Sequence, residues 1–154
     1  MTDSEPDLGY HLRELRADLG STRSALDELG RLAEPSRAAI RAWITVESAL
    51  EHDLDVHLPA ALRLLGIREL ARRPAEPEDE LEPDGETGRL RAAAGEIRRH
   101  VDDALAALGD GPSVEAPDVA RARDAVTEAF GIARRARAAC MRLAESSRAS
   151  RSER

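Results

Sequence analysis

The chain of 154 residues contains no lysine, no asparagine and no glutamine, and it has a single cysteine. Each absence removes a class of function. Without lysine there is no P-loop lysine for a nucleotide phosphate, no Schiff-base nucleophile and no kinase chemistry. One cysteine, Cys140, permits neither an internal disulfide nor a cysteine-based zinc site. Three large aromatics, Tyr10, Trp43 and Phe130, are too few for a base-stacking surface of the RRM or OB type. No apolar run approaches the roughly 20 residues of a membrane span. The longest candidate, Leu58 to Leu70, is interrupted by Arg63, Gly66, Arg68 and Glu69. Met1 to Asp7 is polar and acidic, unlike a secretory leader. These features lead to the expectation of a cytoplasmic protein with no membrane contact.

What the chain does contain is alanine, leucine and charge. There are 28 Ala and 19 Leu, so the interior has little bulk. A buried Ala contributes far less than the roughly 1.5–3 kcal/mol of a buried Leu or Val. Helices made this way must approach closely or recruit a second copy to bury enough surface.

The periodicity is helical throughout, and no segment alternates like a strand. Leu8, Leu12, Leu15, Leu19, Thr22, Leu26, Leu29 and Ala33 follow at alternating steps of four and three, an unbroken heptad seam. Glu34-Pro35 ends it, and Ser36 suits the N-cap of the next helix. There Ile40, Trp43, Ile44, Leu50 and Leu54 share a face at about 100° per residue. Pro59 predicts a kink or break between Asp53 and Leu58. A short helix with Leu58, Leu62, Leu65 and Leu70 follows. Leu90, Ala94, Ile97, Val101, Ala104 and Leu108 form a later four-three series, with Thr87 as a candidate cap and Gly109 as a stop. The last helix carries Val119, Ala122, Val126, Ala129, Ala133, Ala136, Cys140 and Leu143.

The expected fold is therefore all-α: one domain, an antiparallel bundle of about four long helices plus one short helix. The expected helices span about 7–33, 36–54, 58–72, 88–108 and 117–147, with a frayed tail over 148–154. Residues 74–88, with three Pro, two Gly and seven acids, predict an acidic disordered loop between the second and third long helices.

Charge is unevenly placed. The chain totals −7, from 23 Arg against 30 acids. Residues 74–88 alone carry −7, so the other 139 balance at 23 Arg and 23 acids. The end of the last helix is basic, and Arg134, Arg135, Arg142 and Arg148 form a candidate basic surface for phosphates.

Chemical motifs are scarce. No Gly-rich phosphate loop, Gly-x-Ser-x-Gly elbow or Cys-His arrangement is present, and no catalytic residue is assigned. His11, His52, His57 and His100 lack the Glu-x-x-His spacing of di-iron bundles. The pairs Asp53/His57 and Glu96/His100 are four apart. Solvated or edge histidines are the expectation, with neither metal nor other cofactor assigned. On helical wheels Glu47 falls on the apolar face of the second helix and Arg137 on that of the last. An unpaired buried charge is costly, so the two are expected to meet as a register-fixing pair or a ligand site, the third reading being that Arg137 snorkels to solvent. The functional expectation is a protein-protein interaction or scaffold module that self-associates. A ligand- or metal-binding bundle and a nucleic-acid-associated regulator are the alternatives.

Overall fold

The computed structural model describes residues 7–32, 36–67 and 86–152. All its regular elements are helical: α1 (Leu8–Arg31), α2 (Arg37–His52), a π-helical turn (Asp53–His57), α3 (Leu58–Leu64), α4 (Glu86–Leu108) and α5 (Ala116–Ser152). No strand occurs among the described residues. The helix starts follow local chemistry. The Asp7 carboxylate accepts from Tyr10 N–H at 2.9 Å, and Ser36 Oγ accepts from Ala39 N–H at 3.1 Å, as N-caps do. Gly109 ends α4 at a φ of +65°, a conformation that favours glycine.

The four long helices form a bundle in which each packs on two neighbours. α1 lies against α2 and α4, and α5 lies against the same two from the opposite corner. Side-chain contacts fix the directions. Arg23 pairs with Asp102 at 3.4 Å and Arg98 pairs with Asp27, so α1 and α4 are antiparallel. At one end Arg16 reaches the last turn of α4. Its Nε donates to Gly109 O at 2.8 Å, and its Nη2 donates to Leu108 O at 3.3 Å and Gly111 O at 2.6 Å. A cation there also complements the helix dipole.

The core is the one the heptads describe. Leu12, Leu15, Leu19, Leu26 and Leu29 of α1 are buried against Trp43, Val46, Leu50, Ile97, Val101 and the alanine stripe of α5. Thr22 is also buried and its hydroxyl donates back to Asp18 O at 2.8 Å, which satisfies it locally. The α1 seam is thus covered by the chain's own helices. None of the helices is long and apolar enough to cross a membrane among the described residues.

Several expectations need correction. Between Asp53 and Leu58, where a kink or break was expected, the helix is disturbed but does not break: α2, the π-turn over Asp53–His57 and α3 succeed one another without interruption. Ile44 is exposed, while Ala39, Ala42 and Val46 are buried, so the inward face is rotated from the one inferred. Thr87 lies inside α4 and is not its cap. The short helix ends at Leu64, where Gly66 turns the chain at a φ of +88°. The expected tail from 148 is helical to Ser152. Of the acidic segment, Glu86 to Gly88 belong to α4, and the remainder lies outside the described residues, as do Ala33 and Leu70.

Candidate functional site

Pro59 shapes the local geometry. It has no N–H, and its ring crowds the carbonyl four residues earlier, that of Asp55. The helix accommodates this by widening over Asp53–His57. The Leu58 N–H donates to the Asp53 carbonyl, five residues back, which is the π pattern. In an α-helix residues five apart diverge by about 140°, whereas in a π-turn they stack. His52 and His57 are five apart, and their rings meet edge to face with centroids 4.9 Å apart.

α1 supplies the facing side. His11, Glu14 and Asp18 recur at steps of three and four, so they share one stripe. His11 Nδ1 and His57 Nδ1 share a hydrogen bond at 3.0 Å. Tyr10 packs edge-on beside them, 5.2 Å from the His11 ring and 6.0 Å from that of His57. Asp18, His52 and His57 each offer a ligand atom, and these atoms lie within 4.8 Å of one another. His57 is buried, Asp18 half-buried and His52 exposed.

Behind this group sits Asp53, with 0% of its surface exposed. Neither of its carboxyl oxygens has a hydrogen-bond partner, and neither does Asp18 Oδ2. Burial, the hydrogen-bonding contact with Asp18 and the negative charges of Asp18 and Glu14 push Asp53 up from 3.8 to about 10. Both observations point to one protonation state. As anions the two carboxyls bring acceptors and no donor. As a neutral acid Asp53 can donate to Asp18. Burial also lowers His57, helped by His52 and His11 against the opposing pull of Asp18 and Glu14. Burial and Arg63 lower His11 against Asp7. Three carboxyls and three histidines thus lie near one another between α1 and the π-turn, and their charges and burial set one another's protonation.

Solvated histidines were expected, and His11 and His57 depart from that, being 7% and 4% exposed. The sequence signal for the site was Pro59 within a helical pattern, close to a His52–His57 spacing that no α-helical wheel could align.

The residues singled out from sequence lie elsewhere. Arg137 Nε donates to Glu47 Oε2, and Arg134 Nε lies 3.9 Å from Glu47 Oε1. This ties α2 to α5 at a site where the Glu47 side chain is 13% exposed. Arg134 also lies over the Phe130 ring, 5.7 Å from its centroid. Arg135 instead lines a shallow groove between α4 and α5 with Arg89, Ala92, Ala93, Glu96 and Ile132. Arg142 and Arg148 are exposed further along α5. Two of the four arginines of the candidate basic surface, Arg134 and Arg135, therefore face different sides of α5, that of α2 and that of α4. Cys140 is buried, and burial pushes its thiol up, away from reactivity. No protein-family model, curated protein or solved structure matches the chain.

Proposed function

We propose that this chain is a metal-binding helical bundle that holds one divalent transition-metal ion between α1 and the π-turn through Asp18, His52 and His57. The supporting observation is the convergence of those three ligand atoms within 4.8 Å of one another. A tetrahedral ion with bonds of about 2.1 Å separates its ligands by about 3.4 Å. The separations in the structure exceed that by at most about 1.4 Å. Two imidazoles and a carboxylate suit Zn²⁺, Fe²⁺, Mn²⁺ or Co²⁺ better than Mg²⁺ or Ca²⁺. The His11–His57 hydrogen bond is of the kind that orients a ligand imidazole through its second nitrogen. The self-association reading drew on the α1 seam and on the thin, Ala-rich helices, and the seam is buried against the chain's own helices, so it no longer argues for a second copy. The divergence of Arg134 and Arg135 to different sides of α5 similarly weakens the nucleic-acid reading.

Calorimetric titration of the metal-free protein with Zn²⁺ tests the proposal. One ion per chain is expected. His52→Ala and His57→Ala should each weaken binding by about tenfold or more, as loss of a ligand does, while His100→Ala should not. Affinity indifferent to both ligand substitutions would reject the assignment.

A further inference from the structure

Residues 68–85 join α3 to α4, and the fold places the two points they connect at opposite ends of the bundle. His57, one residue before α3, bonds His11 in the first turn of α1. Arg16, close behind on α1, bonds the carbonyls of Leu108 and Gly109 at the end of α4. α3 and the end of α4 therefore lie together. The start of α4 is about 34 Å away, the length of its 23 residues at about 1.5 Å each. Residues 68–85 reach at most about 60 Å when fully extended, so the descent keeps them beside the bundle.

Two routes exist. α3 and α4 stand at diagonal corners, each against α1 and α5, so the descent passes over α1 or over α5. On the α1 side, the seam with α4 is bridged by Arg23–Asp102 and Arg98–Asp27, and those arginines already have carboxylates. On the α5 side, the seam with α4 holds the groove of Arg89, Ala93, Glu96, Ile132 and Arg135, of about 280 Å³. Arg89 and Arg135 are half-buried on its two walls, and Ala93 and Ile132 are buried beneath them. The sequence supplies the complement. Glu76–Asp84 carries six acids and no arginine around a single Leu81. Leu81 is five residues before Glu86, a reach of about 17 Å, while Ala93 stands about 10 Å along α4 from Glu86. A leucine on the apolar floor leaves water, and carboxylates beside it meet guanidinium donors. Glu96 closes the far end of the groove with like charge, which keeps the acidic stretch at the Arg89 end.

We propose that the acidic segment Glu76–Asp84 docks in the groove between α4 and α5, with Leu81 on Ala93 and Ile132 and the flanking carboxylates on Arg89 and Arg135. This docking is independent of the metal site.

Digestion of the full chain by a glutamyl endopeptidase, with the cuts after Glu76 to Glu82 followed by mass spectrometry, tests it. Those cuts should be about tenfold or more slower than in a free peptide of residues 74–86, because cleavage follows the population of the undocked form. Leu81→Ser should speed them at least about threefold, and so should Arg89→Glu combined with Arg135→Glu, with helical circular dichroism unchanged. Arg23→Glu should not. Leu81→Ser alters none of the described helices, so it still reads the docking should the double reversal fail to fold. Cleavage as fast as in the free peptide, or rates indifferent to Leu81→Ser, would overturn the docking. Acceleration by Arg23→Glu alone would put the segment over α1, and protection that fades on dilution would give the groove to the segment of a second copy. Either result also overturns it.

Discussion

Replacing Asp53 with asparagine should make the metal-free protein more stable, because the native carboxyl must take up a proton to be buried. In the unfolded chain Asp53 ionises near 3.8, while in the fold it holds its proton to about 10. At pH 7 folding therefore requires proton uptake, which costs at most roughly 4 kcal/mol, about 1.36 kcal/mol for each pH unit above 3.8. The asparagine of Asp53→Asn needs no proton, and its amide can donate to Asp18. Burying that amide offsets part of the gain, leaving about 2 kcal/mol. For a chain of this size that is a rise in Tm of roughly 4–8 °C. The pH dependence provides a stricter check. A carboxyl with a raised folded pKa contributes stability fully below its unfolded value, and that contribution is lost as pH rises through the window from about 4 to 10. The wild type should lose roughly 1.4 kcal/mol per pH unit relative to the variant. His11 and His57 are lowered, so their titration falls below the ordinary histidine range. Cys140, raised by burial, is common to both proteins, so the difference between wild type and variant in chelator-treated protein unfolded in urea between pH 7 and 9 isolates Asp53. A variant no more stable than wild type at pH 8, or a difference that stays flat across the range, would refute the reasoning.

Three further outcomes follow from the packing. Pro59→Ala frees the helix to return to α geometry, so the folded state should hold or gain stability while Zn²⁺ affinity drops by about tenfold or more. Unchanged affinity in calorimetry would break the link between the π-turn and the His52–His57 pair. A double-mutant cycle on Glu47 and Arg137 should give a coupling of about 0.5–1.5 kcal/mol in urea unfolding. Near-zero coupling would mean the contact fixes nothing. Arg16→Ala should cost about 1–2 kcal/mol, because three carbonyls at the end of α4 lose a charged donor. Hydrogen exchange should rise at the last turn of α4, and protection equal to wild type would argue against that role.

The bundle was legible in the sequence because heptad spacing is a local property. Leu12, Leu15, Leu19, Ile97 and Val101 need only helical geometry to line one face each, and four such faces can be buried only against one another. The cap at Ser36 and the stop at Gly109 are equally local. Glu47 and Arg137 could be paired on paper because each falls on the apolar face of its helix, where an unpaired charge is costly. The cluster of Asp18, His52, Asp53 and His57 was not legible. Its members lie on two helices, and the His52–His57 spacing is wrong for an α-helix. Pro59 announced a disturbance, but sequence alone could not say whether the helix would break or widen. Packing of Leu54, Leu58 and Leu62 into the core on either side of the proline favours a continuous helix. A single π-turn lets all three stay buried without stacking the proline ring on the Asp55 carbonyl. That tertiary choice, made to keep leucines out of water, is what brings two imidazoles and two carboxyls together.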